Sequence, residues 1–202
     1  FFCWMAYSQD SGRIAQGDKL YELAERHYNS EQPGPLSDSL ALLYYQQAID
    51  HYRAGKAGFS RTVNAYIRRA NILQGQRKYA EAIPEYHRAI TQSRGKKELE
   101  QPFYLAQLYL GTNYYYSYKI DSARFYLESA SDLVIANEAL PEQDVLFNSL
   151  GALYLQSANY QQARNYFNKA LLLLDRAAPE YRETSGGFLN NIAHCLMQLD
   201  DH

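Results

Sequence analysis

Apolar and small residues recur along this chain three and four positions apart, the spacing of one helix face, and the whole pattern returns about every 40 residues. The recurring string is Ala-x-x-x-aromatic-x-x-Ala: Ala41, Tyr45 and Ala48; Ala82, Tyr86 and Ala89; Ala163, Phe167 and Ala170. A fourth copy, Ala123, Leu127 and Ala130, carries leucine in the middle. The intervals between first alanines are 41, 41 and 40 residues. Twelve positions before three of these alanines stand Ala70, Gly111 and Gly151. A fixed period on this scale predicts stacked copies of one supersecondary unit. The helical spacing makes that unit a pair of helices, A and B. Small residues on both predict close approach, since bulk at such a contact costs about 1–3 kcal/mol. In helix B of the second repeat the buried stripe is Ala82, Ile83, Tyr86, Ala89 and Ile90.

Repeats are expected over residues 17–54, 63–95, 104–137, 144–178 and, incomplete, 186–202. The fold class is therefore all-α, a right-handed solenoid of antiparallel helix pairs, about four and a half repeats long. The first pair is joined by a long turn holding Pro33, Gly34 and Pro35, with Asp38 as the expected N-cap of its second helix. Asp121 is the expected cap in the third repeat. Pro102, Pro141 and Pro179 fall between repeats, where a helix must end. The added length is placed at the end of helix B, where Ala170 is followed by Leu171, Leu172, Leu173 and Leu174. His202 falls at the turn position of the last repeat, so a helix B and a larger protein are expected beyond it, the alternative being a terminal capping helix.

Phe147, Leu150-Gly151, Tyr154, Ala163, Phe167 and Ala170 fit W-x2-L-G-x2-Y…A-x3-F with Phe for Trp, and so resemble the tetratricopeptide repeat. The period exceeds the usual length of about 34 for that repeat. Long-period units of this kind resemble those of the kinesin light chain and of bacterial peptide-sensing regulators, and the resemblance covers nearly all of the chain after residue 16. Phe147-Asn148-Ser149-Leu150-Gly151 and Leu189-Asn190-Asn191-Ile192-Ala193 resemble the repeat regions of bacterial CHAT-domain proteins and of repeat-bearing sensor histidine kinases. The resemblance implies a non-catalytic scaffold that binds a protein or peptide, as the N-terminal region of a larger bacterial protein. The alternative it leaves is a regulatory region controlling a CHAT-type peptidase or a histidine kinase domain outside this chain.

In tetratricopeptide arrays helix A lines the concave face. Carried onto this chain, that face holds Asn64, Ile67, Asn71 and Gln74; Leu105, Leu108, Thr112 and Tyr115; Val145, Asn148, Ala152 and Leu155; Asn190, His194 and Met197; and Tyr21, Glu25 and Tyr28. The binding residues expected from it are Asn64, Arg68, Asn71, Thr112, Tyr115, Asn148, Asn190, Tyr21 and Tyr28. An Asn amide both donates and accepts, so it pairs with a peptide backbone without reading its sequence. Four such bonds, at about 1 kcal/mol net each, give about millimolar affinity, so tight binding needs aromatic anchors. Tyr21, Tyr28, Tyr115 and Tyr116 fill that role. The competing use of the same asparagines is polar ladders between neighbouring helices. Arrays that clamp a C-terminal carboxylate use several cations on this face, and only Arg68 fits here.

Composition narrows the chemistry. A net charge of −2 and no run of Lys and Arg give no electrostatic reason to expect nucleic acid. Twenty tyrosines against one tryptophan suit helices half buried in a thin array, since tyrosine joins an apolar ring to a polar tip. The five histidines and the two cysteines, Cys3 and Cys195, show no metal-ligand spacing, and no phosphate-loop, G-x-S-x-G or H-E-x-x-H motif occurs. No catalysis, cofactor or metal is expected. His194 and Cys195 point about 100° apart on a helix and make no catalytic pair. No run of 18 apolar residues occurs, so no membrane span is expected. Residues 1–8, Phe-Phe-Cys-Trp-Met-Ala-Tyr-Ser, end in a small-x-small arrangement, Ala6 and Ser8. They read either as the tail of a secretory signal peptide, which implies an exported or periplasmic protein, or as the apolar start of helix one in a cytoplasmic one.

Overall fold

A computed structural model describes the backbone of residues 2–56 and 58–200, with side chains from Asp10 onward. Among these residues every regular element is helical: α1 Phe2–Tyr28, α2 Pro35–Ala54, α3 Phe59–Gly75, α4 Tyr79–Ser93, a 3-10 turn Lys97–Leu99, α5 Glu100–Tyr116, α6 Ile120–Ala136, α7 Gln143–Gln156, α8 Tyr160–Leu173 and α9 Tyr181–Asp200. The side chains of residues 1–8, including Cys3, and the terminal His202 lie outside the described residues, so the signal-peptide and chain-end expectations do too.

Two compact units divide the chain, residues 1–106 and 107–202. In the first, α1 pairs with α2, α3 with α4, and α2 also packs on α3. In the second, α7 pairs with α8, which packs in turn on α9, while α6 packs on α7. The alanine strings lie on α2, α4, α6 and α8. Their members, the middle Tyr45, Tyr86, Leu127 and Phe167 included, are all 0% exposed. The glycines opposite them face the large middle residue rather than the alanines. A Cβ on Gly151 would stand 2.7 Å from the Phe167 ring, and one on Gly111 2.7 Å from Leu127 Cγ. The contact is close because a flat ring or a leucine lies directly on bare backbone.

Three of the turns from helix A to helix B are alike and use no glycine. Arg77, Tyr118 and Ala158 sit in the left-handed region, φ 59°, 58° and 55°. Each is flanked by the same pair of bonds: Arg77 N–H to Gln74 O and Lys78 N–H to Leu73 O in the first, with equivalents after α5 and α7. This is the Schellman closure, which satisfies two orphan carbonyls at the helix end. Its third residue then opens the next helix, so the turn holds the two helices antiparallel.

Several local expectations are corrected. Gly34 caps α2, Pro35 takes its first position, and Ser37 Oγ accepts from Gly34 N–H at 2.9 Å. Asp38 lies one turn in and accepts from Gln76 Nε2 at 3.0 Å. Lys119 caps α6 and leaves Asp121 inside the first turn, where its charge still favours the helix N-terminus. Pro102 falls inside the first turn of α5, where no intrahelical N–H bond is lost. Helix α8 ends at Leu173, with Leu172 84% exposed, so the added length lies in the links 94–99, 137–142 and 174–180. α1 begins well before residue 17, and α9 begins at Tyr181 and carries Gly186 and Gly187 in its interior.

Nothing lies within 4 Å of a Cβ built on Gly186 or Gly187. Helical glycines with open space cost roughly 1 kcal/mol each relative to alanine. Gly186→Ala and Gly187→Ala are each expected to stabilise the second unit by about that amount, read as a later urea midpoint with unchanged slope.

Candidate functional site

In the first unit the expected face of α1 and α3 is a lattice of half-buried polar side chains. Tyr45, fully buried on α2, donates its hydroxyl to Glu25 Oε1 on α1 at 2.5 Å. The Arg68 guanidinium of α3 stands 3.7 Å from that carboxylate and 4.6 Å from the centre of the Tyr28 ring. Tyr21 and Tyr28 both meet the Tyr45 ring edge-on, at 5.6 and 6.5 Å. Two turns earlier, Asp18 accepts the Tyr52 hydroxyl at 2.8 Å and forms an ion pair with Arg61 at 2.8 Å, and Arg61 lies 5.4 Å from the centre of the Tyr21 ring. On the next pair, the Tyr86 hydroxyl lies 2.7 Å from Asn71 Oδ1 and 2.9 Å from Gln74 Oε1.

The structure thus brings Tyr21, Tyr28 and Arg68 together around Glu25. Asn71 accepts from the middle tyrosine of the repeat string, Tyr86, on the other helix of its own pair. Asn64 is half-buried, while Ile67 is 4% exposed and belongs to the core. An open cleft of about 680 Å³ adjoins the lattice, lined by Glu25, Arg26, Asn29, Ser30, Glu31 and Gln32 at the end of α1.

The second unit holds the other expected residues. Thr112 is buried and donates to the Tyr109 carbonyl of its own helix at 2.8 Å. Leu108 is wholly core. Tyr115 is half-buried and meets Tyr116 edge-on at 5.6 Å. Asn148 is half-buried and Asn190 exposed. The ordered polar structure of this unit lies elsewhere. Tyr154 donates to Glu128 Oε1 at 2.7 Å, stacks on Tyr166 at 5.5 Å, and lies under Arg124 at 5.3 Å.

These pairs account for much of the tyrosine content. A ring from one helix fills the core and its hydroxyl reaches an acceptor on the next. Such links are hard to read from sequence. The faint signal was positional: Glu25 and Asn71 each follow the buried alanine of helix A, Ala24 and Ala70, opposite the middle tyrosine.

Burial raises the tyrosine hydroxyls, and neighbouring carboxylates add to it. Tyr21 and Tyr45 are raised strongly by burial and by Glu25. Tyr52 is pushed up to about 12, by burial first with Asp18 adding to it, and Tyr154 to about 12, by burial and Glu128. A raised folded pKa means the unfolded chain releases these protons first, near pH 10. The stabilisation is therefore complete below pH 10 and is lost as pH rises from 10 through 12. Alkaline unfolding in that window, followed by tyrosinate absorbance and circular dichroism together, is the expected result. Complete ionisation of all 20 tyrosines at pH 10 with the helices intact would contradict it.

Cys195 is fully buried, and burial pushes its thiol up, which keeps it a poor nucleophile, while His194 beside it is exposed. Among the described residues no three or more His, Cys, Asp or Glu side chains are grouped to hold a metal ion, and no helix is long and apolar enough to cross a membrane.

No protein-family model matches the chain. A segment is 34% identical over 86 residues to the RNA polymerase-associated protein CTR9 of Caenorhabditis elegans, taking in 36% of this chain and 7% of that protein. The chain thus spans a small fraction of that relative. Among solved structures it is similar to BtubC (BKLC) from P. vanneervenii, with TM-score 0.57 and 17% identity over 95% of this chain and 90% of that one. It is also similar to the Cut9-Hcn1 hetero-tetramer of the APC/C, with TM-score 0.56 and 20% identity over 93% of this chain and 35% of that one. With the helix pairs described above, these likenesses define the class: an all-α protein of the α-solenoid kind, built from tetratricopeptide-type repeats.

Proposed function

We propose that the chain is a non-catalytic scaffold that binds a protein or peptide segment, and that its first unit does so on the helix A face around Glu25, Arg68 and Tyr28. The observation that carries this is the lattice itself, with the open cleft at its edge. Arg68 and Glu25 are held by rings and hydroxyls yet keep 39% and 27% of their side chains exposed. Donors and acceptors fixed before binding lose little entropy when a partner arrives. The kind of protein found similar agrees with this reading: one is solved as the Cut9-Hcn1 hetero-tetramer and another is named as RNA polymerase-associated. The relatives and structures named above include no CHAT-type protein and no histidine kinase, and the reading does not depend on either.

A pull-down with the purified chain tests it, read by mass spectrometry, with Asn64→Ala/Arg68→Glu as the first-unit variant and Asn148→Ala/Asn190→Ala as the second. The first variant is expected to lose the bound protein while keeping its helical circular dichroism. Loss with the second variant alone would move the site to the second unit. Retention by both would remove the helix A face from the proposal.

A further inference from the structure

The first unit carries a second concavity that shares Tyr52 with the Asp18 end of the lattice but none of the residues around Glu25, a hollow of about 310 Å³ lined by Tyr52, Arg53, Lys56, Phe59, Thr62 and Gln92. It sits where the end of α2, the start of α3 and the end of α4 meet. Two of its walls are cations. A third, Lys96, reaches over from the link after α4 and places Nζ 5.0 Å from the centre of the Phe59 ring. Arg53 spends one N–H on the Tyr66 hydroxyl. Among the described residues no carboxylate lies within ion-pair distance of Arg53, Lys56 or Lys96, although every other cation drawn against this unit's tyrosines has one. Arg61 is held by Asp18, Arg68 by Glu25, and Arg88 by Glu85. Two of these positive charges line the hollow and the third stands over the Phe59 ring at its rim, so an anion there would relieve their mutual repulsion.

The sequence has no basic run here, which is why charge counting passes over it. The signal is periodic instead. Arg53-Ala54-Gly55-Lys56 and Arg94-Gly95-Lys96-Lys97 stand one 41-residue period apart, the first closing α2 and the second just after α4. Folding brings both basic turns to Phe59.

We propose that this hollow binds a phosphorylated side chain of a partner protein. The volume suits one phosphoryl group and the stem that carries it, and a doubly charged oxyanion accepts several charge-assisted bonds from Arg and Lys. Phe59, 60% exposed at the rim, offers a ring to the residue beside the phosphate. A membrane surface presents its phosphates as a plane, whereas these cations enclose a recess on a chain of net charge −2.

The test is a fluorescence titration of the whole chain with fluorescein-labelled Gly-Phe-phosphoserine-Phe-Gly and its unphosphorylated twin. Beside it run amide spectra with inorganic phosphate and sedimentation with phosphatidylserine vesicles. The phosphopeptide is expected to bind, and its affinity to fall about tenfold or more in Arg53→Gln/Lys56→Gln/Lys96→Gln, the effect of losing one or two charge-assisted bonds. Inorganic phosphate is expected to shift the amides of Phe59 to Thr62. The three cations are exposed, so the triple variant should keep its helical circular dichroism. Equal phosphopeptide affinity in that variant overturns the proposal. Phosphate or vesicle binding without phosphopeptide binding overturns the assignment to a protein partner. Asn64→Ala/Arg68→Glu should leave phosphopeptide affinity unchanged, which separates this site from the helix A face.

Discussion

Gly151→Leu is expected to lower the melting temperature by roughly 10 °C. A side chain there starts from a Cβ 2.7 Å from Phe167 Cδ1 and Cε1 and 3.0 Å from Cγ. Real Cβ atoms do not approach so near, so the ring must yield. It has nowhere to go: Phe167 is fully buried, in one cluster with Ala163 and Cys195, and Tyr154, Leu155 and Ile192 pack on that cluster. Pushing α7 away from α8 would open the contact that the alanines of α8 allow. Overpacking of this kind costs about 3 kcal/mol. At about 2–4 °C per kcal/mol for a chain of this size, the shift lands near 10 °C. The same leucine introduced together with Phe167→Ala should recover part of the loss, because the space vacated by the ring then receives it. A melting temperature unchanged by Gly151→Leu would refute the close approach.

The contrast with Gly186 and Gly187 shows what was legible in the sequence. Periodicity identifies Gly151 and Gly111 as contact positions because each repeat must solve the same packing problem, and the solution is written in small residues at a fixed offset. The alanine strings reach the core for the same reason. Helix ends are another matter. Asp38 and Asp121 have the chemistry of caps, but the first turns start at Pro35 and Ile120, since the preceding Schellman closure or a proline fixes where each helix can begin. The expected binding face was legible as a surface and not as a set of contacts. Asn71 and Glu25 occupy the same repeat position, yet one pairs with Tyr86 and the other gathers Tyr45 and Arg68. Which hydroxyl meets which acceptor depends on side chains of a neighbouring helix about 15 or 20 residues away, and the shared position after the helix A alanine is the one trace of it in the sequence.

Arg69→Met is expected to destabilise the first unit by about 3–5 kcal/mol, more than any other single change to its polar groups. Glu85 on α4 is 5% exposed. Its Oε2 accepts from Arg69 Nε at 3.0 Å, and its Oε1 is held by Arg88. Arg69 also donates from Nη1 to the Leu42 carbonyl of α2 at 3.2 Å, so one guanidinium ties three helices. Its side chain is only 17% exposed, whereas that of Arg88 is 50% exposed. Removing Arg69 leaves a buried carboxylate with one solvent-facing partner, and a buried charge stripped of its main partner costs about 3–5 kcal/mol. The pair itself contributes far less, since both ions lost their hydration to form it. Arg69→Met/Glu85→Leu should therefore unfold later in urea than Arg69→Met alone, by a coupling of about 1–3 kcal/mol in the double-mutant cycle. Added salt should change the wild type little, because the pair lies beyond effective screening. Additive losses in the cycle would show that Arg69 acts through the Leu42 carbonyl and its packing rather than through Glu85.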